Sequence, residues 1–174
     1  GRLILYHMIE IKNDTLKKTF DYTEKIIVDK VKEATSPDYN GGYPTEGDFN
    51  LTFLKKEVSM LNYMKSKFVP ELLEVNEKEY YIVTRYYGPD LLKSKVMPSV
   101  EQVVEMFEFF KEKNVYKINS SLSNLTMNGN QLVAFDWKWA RFREDKYKEF
   151  ELISYDRWMS KIDTELVEKL KCMI

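Results

Sequence analysis

The chain predicts an α+β fold in two parts, a β-rich N-terminal lobe over residues 1–85 and a reduced helical C-terminal lobe over residues 86–174. Three observations lead there. The first half alternates short runs of strand formers with turn residues, and a single stretch within it carries helical spacing. The second half reverses that proportion, with apolar stripes at three- and four-residue intervals. Between the halves, Tyr86-Tyr87-Gly88-Pro89-Asp90 breaks every period and reads as a hinge.

In chain order, Leu3 to Ile11 is rich in strand formers, Asn13-Asp14 is a turn, and Thr15 to Phe20 resumes the pattern, which predicts a hairpin. Ile26-Ile27-Val28 opens a third strand running to Lys32. Val28, Lys30 and Lys32 share one of its faces. A lysine two residues beyond an apolar neighbour is suited to holding an ammonium over a phosphate, although a lysine on a solvated sheet face is the commoner reason for the pattern. Thr35 to Asp48, with Pro37, Gly41, Gly42, Pro44 and Gly47, reads as a loop. Leu51, Leu54, Val58 and Leu61 then mark a helix capped by Asn50, with Glu57 beside the apolar stripe. Pro70 to Val75 and Tyr80 to Thr84, separated by Asn76-Glu77-Lys78-Glu79, predict an antiparallel pair. In the second half, Ser99 and Gln102 form a capping box. Val100, Val103, Val104, Phe107 and Phe110 make the core stripe of the helix it starts. Tyr147 to Ile162 and Asp163 to Met173 have the spacing of two amphipathic helices.

Composition narrows the functional classes. A chain of 174 residues, 44% hydrophobic and 32% charged, has material for one domain or two small lobes. Its net charge of -1 provides no basic field to recruit nucleic acid or an anionic membrane, so no nucleic-acid partner is expected. No apolar run approaches the roughly 18 residues of a membrane helix, and the N-terminus lacks a signal-peptide pattern; a cytoplasmic protein without a membrane span is expected. The lone Cys172 and lone His7 argue against an internal disulfide, a zinc cluster or a Cys/His relay.

The stretch from Val115 to Arg143 holds the most chemistry. Leu125 to Met127 and Gln131 to Phe135 read as two strands joined at Asn128-Gly129-Asn130. Asn124 precedes the first strand and Asp136 follows the second, so a tight turn brings an amide and a carboxylate together. That pairing of hard oxygens suits magnesium, which binds few protein groups and completes its octahedron with water and phosphate. Asn-Gly hairpins are also common structural devices, and alone this one does not establish a site.

The order of elements adds what the hairpin lacks. A hairpin, a strand with Lys30, a helix with Glu57, two strands, a hinge, a helix, Asn124, a second hairpin and Asp136 together resemble the two-lobed protein-kinase-like fold and its small-molecule kinase relatives. The resemblance covers roughly Ile4 to Trp158, with degraded motifs. It implies that Lys30, in Ile27-Val28-Asp29-Lys30, binds nucleotide phosphate, with Lys32 as the fallback. Glu57 is then the helix glutamate paired with that lysine, and Ile82 to Gly88, including Thr84, Tyr86 and Tyr87, is the inter-lobe linker that holds adenine. Lys117 to Asn124 lies over the catalytic loop and Asp136-Trp137-Lys138 over Asp-Phe-Gly, making Asn124 and Asp136 the magnesium ligands. Asp156-Arg157-Trp158 resembles the part of a helix that supports the catalytic loop. ATP and magnesium are the cofactors so implied.

The departures divide the function. Asn119 stands at the catalytic-aspartate position, and an amide cannot accept the substrate proton. Lys117 and Ile118 replace His and Arg, and Lys138 replaces the glycine after the metal aspartate. No glycine lies between Leu3 and Phe20 to let backbone amides approach phosphates, and little chain separates Asp136 from the supporting helix. Two classes follow. One is a minimal ATP-dependent phosphotransferase with Lys30, Glu57 and the loop around Asn119 at its centre, acting on a small-molecule or non-peptide acceptor. The other is a catalytically inactive pseudokinase, a binding or regulatory module that keeps the scaffold without turnover, with nucleotide or a protein as its partner. Lys138 either repels magnesium beside Asp136 or neutralises phosphate in its place.

Overall fold

A computed structural model describes residues 7–21 and 48–174. The expected strand Ile26 to Lys32, with both Lys30 and Lys32, lies outside the described residues, as does the expected loop up to Gly47. Among the described residues five α-helices accompany antiparallel β-structure, so the α+β class stands. The chain gathers into two compact units. One takes in the described residues up to Ser59 together with Glu71–Tyr86; the other consists of Met60–Pro70 and Tyr87–Ile174.

The first unit is a four-stranded antiparallel sheet with a helix. Strands β1 (His7–Lys12), β2 (Thr15–Phe20), β3 (Leu72–Asn76) and β4 (Tyr81–Arg85) lie in the order β1-β2-β4-β3. The two-residue turn Asn13-Asp14 closes the first hairpin, with Asn13 at φ 56°, a left-handed conformation that asparagine tolerates. β2 is therefore central, its Lys18 standing opposite Ile9 on one side and Ile82 on the other. Helix α1 (Phe49–Tyr63) begins one residue before Asn50, so Asn50 is not its cap. Asp48 is: its Oδ1 accepts from the Leu51 amide at 3.1 Å, and its Oδ2 from the Tyr80 hydroxyl at 2.6 Å. These two bonds, Tyr80's foremost, hold the Asp48 carboxyl below its usual range. The buried stripe of α1 also differs from the expected one. It runs through Phe53, Leu54, Glu57, Met60 and Leu61, while Leu51 and Val58 are half-exposed, so Glu57 lies within the stripe rather than beside it.

In the second unit the core is aromatic. Helix α2 (Leu91–Ser94) is short; α3 (Val100–Glu112) starts at the expected capping box and buries Val103, Met106, Phe107 and Phe110. The Phe110 ring meets the fully buried Trp137 edge-on at 5.2 Å, and Phe107 meets Tyr155 at 5.4 Å. Strands β5 (Val115–Tyr116) and β8 (Arg141–Phe142) pair, and β6 (Leu125–Asn128) pairs with β7 (Gln131–Ala134) in the predicted hairpin. Its loop is Gly129-Asn130, with Gly129 at φ 60°, the position where a type II′ turn asks for glycine. Helices α4 (Asp145–Trp158) and α5 (Thr164–Lys171) follow, α5 capped by Asp163. Among the described residues no helix is long and apolar enough to cross a membrane.

Candidate functional site

Among the described residues each unit carries a buried polar arrangement. In the first unit the Lys18 ammonium donates to both carboxylate oxygens of Glu57, at 3.1 and 2.8 Å, with the two side chains 7% and 4% exposed. Alternation along β2 puts Lys18 on the face shared with Leu16 and Phe20, and the helical period of α1 puts Glu57 among Leu54, Phe53 and Leu61. Among the described residues the lysine that meets Glu57 is Lys18, thirty-nine residues away; Lys30 lies outside the described residues. Sequence reading passed over Lys18, yet it satisfies the same criterion applied to Lys30, an apolar residue two positions before it. A buried ion pair adds little net stability, because desolvating two charges offsets their attraction.

Thr84, Tyr86 and Tyr87 lie at the end of that sheet and just beyond. Thr84 is buried in β4, paired with Leu16 and Leu72. The Tyr86 amide donates to the Asp14 carbonyl at 2.7 Å, continuing the ladder past Arg85. Tyr87 is half-buried and opens the second unit.

The second arrangement joins Lys117, Asn119, Asn124, Asp136 and Lys138. The hairpin brings Asn124 and Asp136 to one end, as its register requires, with the Phe135 amide donating to the Asn124 carbonyl at 2.9 Å. Asn119 sits between the two side chains. Its Nδ2 donates to Asp136 Oδ2 at 3.2 Å, and its Oδ1 accepts from Asn124 Nδ2 at 2.6 Å. The Lys138 ammonium takes the other oxygen, Asp136 Oδ1, at 2.5 Å. Lys117, 1% exposed, donates to the carbonyls of Asn119 at 3.0 Å and Asp136 at 2.8 Å, lashing the loop to the hairpin end.

Two of these backbones are strained. Ile118 has φ 67° and Asp136 φ 63°; for a β-branched residue this is an outlier costing on the order of 1–3 kcal/mol. What holds Ile118 is Glu151 of α4, 1% exposed, whose Oε2 accepts the Ile118 amide at 2.9 Å. The expected supporter, Asp156, instead forms a surface ion pair with Lys171 at 3.2 Å. The helix was read correctly and the residue was not: Asp156 was chosen by motif, whereas only packing reveals that Glu151 faces the loop. Burial drives the Glu151 carboxyl up to about 7, opposed by the Ile118 amide and by the charges of Arg143 and Lys117. Its Oε1 has no hydrogen-bond partner among the described residues, nor have Ser120 Oγ and Ser154 Oγ. Burial likewise pushes the nearby Tyr155 phenol upward.

Neither arrangement is a cluster of metal-ligating type: among the described residues no three His, Cys, Asp or Glu side chains come together. Compared with protein-family models the chain matches none, and a search of curated proteins returns no match.

Proposed function

We propose that this chain is a kinase-like nucleotide-binding module in which the machinery of phosphoryl transfer is tied up internally. The observation that carries the reading is the Lys18–Glu57 pair: a lysine on a central strand, held by two bonds from a helix glutamate, is the arrangement that presents an ammonium to nucleotide phosphates in the kinase-like fold. The sheet order and the helix placed before β3 and β4 support the same kinship.

The absence of turnover is argued from Asn119 and Asp136. The Asn119 amide has no basic group, and both its ends already bond to Asp136 and Asn124. For magnesium, a carboxylate and an amide oxygen are suitable donor types. As arranged they do not fit it, because both Asp136 oxygens are engaged, one by an ammonium.

A second reading, a minimal phosphotransferase acting on a small-molecule or non-peptide acceptor, is favoured by the retained lysine, glutamate, Asn124 and Asp136. Thermal unfolding with ATP tests the first reading, since a ligand at about a hundred times its dissociation constant stabilises by about 2.7 kcal/mol. Wild type should shift and the double variant Lys18→Met/Glu57→Leu, which leaves no unpaired charge, should not. An unshifted wild type sinks the nucleotide reading. ATP consumption that disappears in Asp136→Ala would establish the phosphotransferase instead.

A further inference from the structure

We propose that strand β1 is a docking edge for a second copy of this chain, the two β1 strands adding to one another antiparallel about a twofold axis at Ile11. Among the described residues β1 lies at the rim of its sheet and pairs with β2 alone. Which of its backbone groups face outward follows from bonds on the far side of β2. The Phe20 amide donates to the Tyr80 carbonyl at 2.7 Å and the Tyr86 amide to the Asp14 carbonyl at 2.7 Å, so even-numbered residues of β2 bond to β4 and odd-numbered ones to β1. Their partners Met8, Glu10 and Lys12 therefore turn inward, and the amides and carbonyls of Ile9 and Ile11 point away from the sheet. The side chains of these same two residues are 37% and 53% exposed, and Met8 between β2 and solvent is 52% exposed. An edge that offers backbone bonds and apolar surface at the same positions is a template for strand addition.

The alternation along the strand selects the occupant. Ile9-Glu10-Ile11-Lys12 puts both isoleucines on one face, opposite Lys18 and Leu16, and puts the exposed Glu10 and Lys12 on the other. Because the outward groups belong to odd-numbered residues, a symmetric antiparallel pair centred on this run has its twofold at Ile9, Glu10 or Ile11. An axis at Glu10 sets that carboxylate opposite its own copy, which repulsion disfavours. An axis at Ile9 sets Glu10 opposite Met8 of the second copy, a carboxylate against a thioether. An axis at Ile11 sets the two Ile11 side chains together and each Glu10 opposite Lys12 of the second copy, in the non-bonded pairing where side chains stand closest. One strand thus carries both halves of a complementary charge pattern, at the spacing that an antiparallel copy of itself requires.

The association goes beyond the nucleotide reading and does not depend on it. An edge contact this short falls below the roughly 1,200 Å² of stable complexes, so the dimer is weak and is read by sedimentation equilibrium of the full chain from micromolar to millimolar protein. Wild type should pass from monomer to dimer across that range. Glu10→Lys sets lysine against lysine and Lys12→Glu sets glutamate against glutamate, so each variant alone should associate about tenfold or more weakly. An equimolar mixture of the two variants should recover the wild-type affinity, since each then meets its opposite. Ile11→Pro removes an outward amide that the β1–β2 ladder does not use, and should abolish the dimer while leaving the unfolding midpoint near that of wild type. A wild type that stays monomeric throughout overturns the proposal. So does a dimer that survives Ile11→Pro, one indifferent to both charge changes, or a mixture that fails to recover.

Discussion

Two buried glutamates, one in each compact unit, show what a charged side chain needs in order to stay inside. Glu57 on α1 is 3% exposed and meets an ammonium that reaches both its oxygens. Glu151 on α4 is 1% exposed, its Oε2 accepting the Ile118 amide and its carboxyl meeting the Tyr155 phenol, with no ammonium bonded to it among the described residues. Similar burial leads to different chemistry. The first carboxylate finds its counter-charge and forms half of an ion pair; the second, where burial outweighs the charges of Arg143 and Lys117, is driven toward its protonated form. Burial sets the cost in both places, and the partner decides how it is met.

Breaking the matched pair should have the largest effect. Lys18→Met alone leaves Glu57 uncompensated and should cost about 3–5 kcal/mol in denaturant unfolding, most of it recovered when Glu57→Leu is added. A double variant as unstable as the single one would mean that the pair is held by something other than mutual neutralisation.

Glu151 should behave the opposite way, because removing its charge helps. Its carboxyl rises from the ordinary 4.5 to about 7, so the folded state binds that proton more tightly than the unfolded one. Its contribution to stability is full below pH 4.5 and is lost as the pH climbs to about 7. Glu151→Gln should therefore be the more stable protein at pH 8, by at most roughly 3 kcal/mol, and equal to wild type near pH 4. The readout is the difference between the two unfolding profiles across that range, which cancels the other carboxylates. A difference independent of pH would show that Glu151 acts through packing alone.

The smallest effect belongs to an exposed pair. Asp14 and Arg85 lie 2.7 Å apart but are 68% and 34% exposed, and Asp14→Asn, which preserves the turn, should change stability by under about 1 kcal/mol. It marks the value of an ion pair once water can replace either partner.

What could be read along the chain follows the range of the interaction. The first hairpin, the β3–β4 pair, the Ser99 capping box and the β6–β7 hairpin were all legible because each is fixed by residues a few positions apart. The approach of Asn124 to Asp136 came with the hairpin register. Assignments that depended on a side chain from a distant element were the ones that changed. Ile118 found Glu151 rather than Asp156, and Asp48 replaced Asn50 as the cap, with Tyr80 anchoring it.

By itself, then, the sequence determined the α+β class, the three local strand pairs and the residues at the hairpin's open end, since periodicity and turn chemistry are local and survive without knowledge of the fold. Only the tertiary structure decided which lysine meets Glu57, which carboxyl supports Ile118, and that Lys138 and Asn119 engage both oxygens of Asp136. Several residues of the right type compete for each of those places, and the choice among them is made by which faces of separate elements come to lie against each other.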